Sequence, residues 1–513
     1  MSAVPGDRGN IPSVPSPLSP GNSSVKQTTS HSLSDSHVSD PESQKVKKGE
    51  ATQLEVVTTV LMQQRLALAS SSANTLPSPR DLERQDEEAR RTYLTAHTQS
   101  HLDGQVVSTQ EEIVFSPTTF TLEPVLLREI HHVLSKSFDM DKTPIKAITL
   151  VSEPERRNKI LRIELKNTQK SVIFKESNPM TEQGKIPTDE EIRESYDRFA
   201  RDWAGLEFAN GLQGEHQLCP QCYGGSEKHR FLLLEDLGKQ QVTLVDHLLK
   251  GKAPAAADSL GRYMTCLGRF HAAGHVKLDN YLEILHRINP QAPNIEMQER
   301  TETTLNDLRS ALKILNLSSN EGLEEEAKKV VKSIYDPKGP FTTMGHGDPC
   351  PDNVFDYPDK LLLIDFEWAS VESSLFDATY PRMNMPSGWC AGQFPEELLD
   401  KTEAIYREEM KKRIPAAADD RTYSEAYVHA CAMHVLRSDM RIIQAFNEKD
   451  DTWGIAQVRS RTLSHLATFI KIAEKYDTLP SLRDTAKTIL ETLKRQWEGS
   501  KPLDLYPAFT QNT

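Results

Sequence analysis

The segment MGHGDPCPDNVFDYPDKLLLIDFEW, Met344 to Trp368, constrains this chain more than any other part of it. His346, Asp348 and Asn353 fall in one turn-rich stretch, and Asp365 and Glu367 follow the apolar run Leu361-Leu362-Leu363-Ile364. Ordinary turn punctuation explains an isolated Asp-Pro or Tyr-Pro-Asp. It does not explain a Gly-His-Gly-Asp after the strand-like Phe341-Thr342-Thr343-Met344 together with a second aspartate closing a second apolar run. A carboxylate, a nearby amide and a second carboxylate are the parts of a phosphoryl-transfer site, where one acid orients a hydroxyl while the amide and the other acid hold Mg²⁺. Such catalysis comes from positioning and from neutralising charge on phosphate oxygens. Mg²⁺ suits this set because it takes hard oxygen ligands and is held by one or two protein groups plus nucleotide phosphates. On this reading Asp348 is catalytic, Asn353 and Asp365 bind the metal, and His346 braces the loop from behind.

These residues carry a resemblance: the run is similar to the aminoglycoside phosphotransferase and choline kinase-like branch of the protein-kinase-like fold, with its His-Gly-Asp, four residues, Asn, and a metal motif Asp-Phe-Glu. LLLEDLG, Leu232 to Gly238, resembles the hinge between the lobes, and LGRFHAAGH, Leu267 to His275, the first helix of the large lobe. The resemblance covers residues from about 140 to about 500 and is specific in the catalytic half. It implies an α+β, two-lobed protein-kinase-like fold with a small β-rich N-lobe (residues 116–238) and a large, mainly helical C-lobe (239–505). It also implies ATP and Mg²⁺ as cofactors, Lys175 as the lysine on the α- and β-phosphates, and backbone groups of Glu235 to Leu237 against the base. Asp202 fits the position of the acid that pairs with Lys175, where the family more often has Glu, and Glu194 is a possible substitute. The implied activity is ATP- and Mg²⁺-dependent transfer of the γ-phosphate to the hydroxyl of a small molecule. A protein kinase is disfavoured by Glu367 and by the lack of an evident Ala-Pro-Glu segment. A catalytically silent scaffold is the non-enzyme alternative.

One departure concerns the loop that would cover the phosphates. Between Ile148-Thr149-Leu150-Val151 and Ile160-Leu161-Arg162-Ile163 the chain reads Ser152-Glu153-Pro154-Glu155-Arg156-Arg157-Asn158-Lys159, without glycine. A glycine turn lets backbone N–H groups approach phosphate closely, so Ser152, Arg157 and Asn158 would have to substitute with side chains. The helix after Lys175 is legible: Thr188 with Glu191 is a capping box, and Ile192, Tyr196, Phe199, Trp203 and Leu206 form one stripe.

Residues 1–115 read as a disordered, low-complexity tail, Ser- and Pro-rich at first, with a short helix possible near residues 53–69. A net charge of −13 and a pI near 5.7 argue against nucleic acid or an anionic membrane as partner. No apolar run approaches a membrane span and no leader pattern is visible, so a cytoplasmic protein is expected, with six free thiols. His216, Cys219, Cys222 and His229 have spacing compatible with zinc. A strand through Cys219 to Gly224 would instead point alternate side chains apart, and that reading is preferred. Stripes at Leu260, Met264, Leu267 and Phe270, and at Leu482, Ala486, Ile489, Leu493 and Trp497, read as helical core. The segment Tyr380 to Glu396, with Trp389, either shapes the acceptor pocket or packs loop against lobe.

Overall fold

The structure of the protein, a computed structural model, describes residues 122–510 apart from 153–156, 180–185, 213–215, 240 and 294–295. The expected N-terminal tail and part of the glycine-free turn lie outside the described residues.

Helix α1 (Pro124–Leu134) opens on a proline, where the missing N–H forfeits no helical hydrogen bond. Strands β1 (Ile145–Leu150), β2 (Lys159–Leu165) and β3 (Ser171–Glu176), helix α2 (Asp189–Leu212), and strands β4 (Cys222–Ser226) and β5 (Phe231–Glu235) follow. The strands make one antiparallel sheet in the order β1-β2-β3-β5-β4. Both faces of β3 are covered, and alternation sorts them. Val172 and Phe174 pack in a cluster with Ile130 and Val133 of α1, whereas Ile173 joins the main core with Phe199 and Trp203 of α2. Lys175 shares the face of Ile173 because the side-chain period of a strand is two. The register sets it opposite Ile160 and Leu232. A slip of one residue would drive its ammonium into the apolar layer beneath α1.

The capping box of α2 forms, with the Thr188 N–H donating to Glu191 Oε2 at 2.7 Å and the Glu191 N–H to Thr188 Oγ1 at 3.2 Å. Its stripe is fully buried only from Phe199 onward, and Ile192 is exposed.

The rest of the chain is mainly helical. Helices α3 (Leu244–Lys250), α4 (Ala253–Val276), α5 (Leu278–Ile288), α6 (Met297–Ile314) and α7 (Leu323–Tyr335) precede the short strands β6 (Thr342–Gly345), β7 (Val354–Asp356), β8 (Leu361–Leu363) and β9 (Ser370–Ser373). Helices α8 (Ser374–Ala378), α9 (Glu396–Lys411), α10 (Asp420–His434), α11 (Met440–Phe446), α12 (Val458–Lys475) and α13 (Pro480–Gln496) complete it. Leu260, Met264, Leu267 and Phe270 of α4 are buried, and α4 packs along α9. The α13 stripe is buried as its spacing requires, with Trp497 just past the helix end. A small antiparallel sheet followed by a helical lobe is the two-lobed, kinase-like architecture. Among the described residues no helix is long and apolar enough to cross a membrane.

The segment after β9 is fixed by charge. Arg382, only 2% exposed, reaches Glu396 at 2.6 Å, Asp400 at 2.8 Å and Glu403 at 2.6 Å. Trp389 is buried and clusters with Val245 and Cys390, with Trp453 against them, so its ring packs loop on lobe.

Candidate active site

The two antiparallel pairs β6–β9 and β7–β8 carry the segment that holds Asp348, Asn353 and Asp365. Asp348 follows β6, Asn353 closes the turn before β7, and Asp365 lies just past β8. The turn is held from below by Asp377 of α8, whose Oδ2 accepts the His346 N–H at 2.6 Å and whose Oδ1 accepts the Gly347 N–H at 3.1 Å. His271 Nε2 lies 3.1 Å from the same carboxylate. Burial opposes the charged form of Asp377, yet the bonds from His271 and the His346 backbone hold its carboxyl below the ordinary value. The His346 ring is buried, lies 3.0 Å from the Ile364 carbonyl through Nε2 and leans against Phe366. It ties the Asp348 turn to the end of β8.

Two glycines are dictated by close approach. Gly347 has φ +76°, and a Cβ there would sit 2.0 Å from the Trp368 carbonyl oxygen. Gly205 of α2 leaves room for Phe366, whose Cβ would stand 2.5 Å from an added methyl.

Asp348 is 2% exposed and its carboxylate is held by donors. Asn353 Nδ2 donates to Asp348 Oδ2 at 3.0 Å and to its backbone oxygen at 2.9 Å. Ser387 Oγ donates to Oδ1, and Cys350 Sγ lies 3.1 Å from the same oxygen. With its amide nitrogen so engaged, Asn353 turns its carbonyl oxygen elsewhere, and an oxygen is what a hard cation accepts. Asp365, in the left-handed region at φ +68°, is more open, with a side chain 28% exposed. Among the described residues no three His, Cys, Asp or Glu side chains converge as a metal-binding group. A cation at Asn353 and Asp365 would therefore complete its shell with phosphate and water oxygens, which matches the donor set Mg²⁺ takes.

Lys175 joins the sheet to this centre. Its Nζ lies 2.7 Å from Asp202 Oδ2 and 2.8 Å from Asp365 Oδ1. Asp202 in turn accepts the Phe366 N–H at 2.9 Å through Oδ1, so one buried carboxylate orients both the lysine and the Asp365-Phe366 segment. Burial alone would depress Lys175, but the carboxylates of Asp202, Asp365 and Glu367 overcome it and hold the amine well above the ordinary lysine value. Glu194 lies apart from this cluster, 57% exposed and 3.7 Å from Arg198. Glu367 meets Arg157, whose Nη2 donates to its two oxygens at 2.7 and 2.5 Å. That pair links the end of the glycine-free loop to the segment after Asp365. Ser152 accepts the Ile160 N–H at 3.1 Å and Asn158 accepts from Arg157 Nε at 3.2 Å.

Glu235 ends β5, with its N–H donated to the Gln221 carbonyl at 2.8 Å. Leu237 lies two residues on, its carbonyl accepting from Tyr357 Oη at 2.9 Å. Between them Asp236 is locked by Arg162, which also donates to the Gly238 carbonyl at 3.0 Å.

The structure thus joins Lys175 to Asp202 and Asp365, and Asn353 to Asp348, ties the two groups through the Ile364 N–H on the Asn353 backbone carbonyl at 3.0 Å, and leaves Glu235 and Leu237 at the end of β5. Cys219 is buried, its sulfur accepting from Asn210 Nδ2 at 2.9 Å, while Cys222 starts β4. Sequence reasoning missed Asp377, Ser387 and the Arg157–Glu367 pair. The local pattern around Leu375-Phe376-Asp377 holds no signal for a brace acting on residues thirty positions upstream. Arg157 and Glu367 were each visible, but their contact spans 210 residues.

The site also predicts a pH effect. Glu372 of β9 is buried opposite Thr343, and burial, then the charge of Asp377, push its carboxyl up to about 7. A carboxyl that binds its proton more tightly folded than unfolded loses stability as pH rises through the interval between its two pKa values. Through this group the protein is more stable at about pH 5 than at about pH 8, and Glu372→Gln should reduce that difference in urea denaturation.

Residues 166–383, less than half of the chain, match the model of the ecdysteroid kinase-like family. No curated protein matches the chain. Among solved structures, an ethanolamine kinase from Plasmodium vivax overlays with a TM-score of 0.38 at 12% identity, covering 72% of this chain and 92% of that one. A choline/ethanolamine kinase family protein from Mesorhizobium loti gives 0.34 at 10%, covering 71% and 99%. A choline kinase from Streptococcus pneumoniae gives 0.32 at 13%, covering 68% and 99%. The two-lobed arrangement rests on this chain's own elements. The matched residues run from before Lys175 to beyond Asp377 and so contain the whole cluster described above, which supports a kinase-like family for this chain.

Proposed function

We propose that the protein is an ATP- and Mg²⁺-dependent phosphotransferase acting on a hydroxyl of a small molecule. The observation that carries this reading is the bridging position of Lys175 Nζ, within hydrogen-bond distance of both Asp202 and Asp365, with the Asp348–Asn353 pair tied to the residue before Asp365 by the Ile364 N–H on the Asn353 carbonyl. An amine fixed there is placed to meet nucleotide phosphates. Asn353 and Asp365 would hold Mg²⁺, which when bound neutralises charge on the phosphate oxygens. Asp348 orients the acceptor hydroxyl and takes its proton as the hydroxyl oxygen bonds to the γ-phosphorus and the bond to the leaving ADP breaks. Asn353 and Ser387 keep the carboxylate aligned for that transfer. Calorimetric titration with ATP should give saturable binding that is much weaker without Mg²⁺. No binding at millimolar nucleotide would overturn this reading in favour of a silent scaffold.

A further inference from the structure

Beside the cluster, a cavity of about 540 Å³ opens between α2, residues 291–293 and Trp368. Its wall carries three guanidinium groups, Arg193, Arg198 and Arg201, against two carboxylates, Glu194 and Asp197. Spacings of three and four residues bring Glu194, Asp197, Arg198 and Arg201 to one side of the helix. The carboxylates do not satisfy the arginines. Asp197 accepts from Asn289 Nδ2 at 2.7 Å, and Glu194 stands 3.7 Å from Arg198, beyond hydrogen-bond reach. Arg198 is 5% exposed, and its Nη2 is buried without a hydrogen-bond partner. Trp368 lines the same cavity, and its indole Nε1 is also buried without one. Burial and then the neighbouring Arg157 depress Arg198 below the ordinary arginine value. A buried donor left unpaired is costly, more so when charged. Two such donors on residues that line one cavity, among arginines, call for a ligand that brings acceptors and negative charge.

We propose that this cavity binds the oxyanion of a small ligand, a phosphate or carboxylate group, with Arg198 Nη2 and Trp368 Nε1 donating hydrogen bonds and Arg201 supplying further charge. Arg198 lies one helical turn before Asp202, and Trp368 follows Glu367 directly. A bound oxyanion therefore touches both the helix that orients Lys175 and the segment that carries Asp365. The site stands apart from the phosphotransferase reading, because its test measures binding and needs no turnover.

The full chain is titrated with inorganic phosphate, and in parallel with acetate, at constant ionic strength while tryptophan emission is followed. A saturable change with either ion is expected, and which ion gives it identifies the preferred oxyanion. The change should disappear in Trp368→Phe, weaken about tenfold in Arg201→Gln, in line with loss of a charged contact, and persist with MgADP in excess. Arg201 is half-buried at the cavity edge, so its replacement leaves the core intact. The proposal is overturned by the absence of saturation with both ions, by a change that survives Trp368→Phe, by an affinity that Arg201→Gln leaves untouched, or by competition from MgADP, which would assign the ion to the cleft.

Discussion

Asp348→Asn should lower phosphoryl transfer by about 10²–10⁴-fold, the range that a positioned general base supplies, and leave nucleotide affinity largely unchanged. The carboxylate accepts from Asn353 at one oxygen and from Ser387 at the other, with the Cys350 thiol beside it. An amide fits the same space but must present nitrogen to one of these donors, and it cannot take up a proton from an attacking hydroxyl. The lysine is a separate group, and the backbone oxygen of residue 348 still accepts from Asn353 Nδ2, so the groups proposed to hold nucleotide and metal keep their places. Steady-state transfer and calorimetry on the same preparation check both halves. Equal turnover by the variant would contradict the role given to Asp348.

Lys175→Met should destabilise the fold by about 3–5 kcal/mol, the cost of removing one partner from a buried ion pair, and should abolish tight nucleotide binding. Asp202 is 1% exposed and would be left with no ammonium beside its carboxyl. Burial, opposed by Lys175 and aided by the charge of Asp365, already pushes Asp202 up to about 6. Loss of the lysine removes the opposing influence and raises it further. The variant can then relieve the unpaired charge only by binding a proton, so its deficit should be larger at about pH 8 than at about pH 5. Urea denaturation of both proteins at the two pH values checks the sign. A variant as stable as the parent at the higher pH would show that the pair contributes nothing to the fold.

What could be read from the sequence was local. The capping box at Thr188 and Glu191 and the core stripes of α4 and α13 lie within single elements, where periodicity decides burial. The strand-like run ending at Met344 and the apolar run before Asp365 mark two of the four short strands, β6 and β8, but not their partners β9 and β7. What escaped was long-range. Asp377 braces the Asp348 turn from another element, Ser387 reaches Asp348 across 39 residues, and Arg157 reaches Glu367 across 210. No spacing rule encodes such contacts, since they depend on how elements pack. Trp389 shows the same limit from the other side: an aromatic in an irregular segment suited a pocket as well as a core, and only its neighbours Val245 and Trp453 show it packed.

The most direct test of the central claim is a screen of small hydroxyl compounds with γ-labelled ATP and Mg²⁺, read by transfer of label to the acceptor, with Asp348→Asn run beside the parent chain. The account predicts a labelled, acceptor-dependent product from the parent and almost none from the variant. Label transferred equally by both proteins, or binding of ATP with no transfer to any hydroxyl, would contradict it.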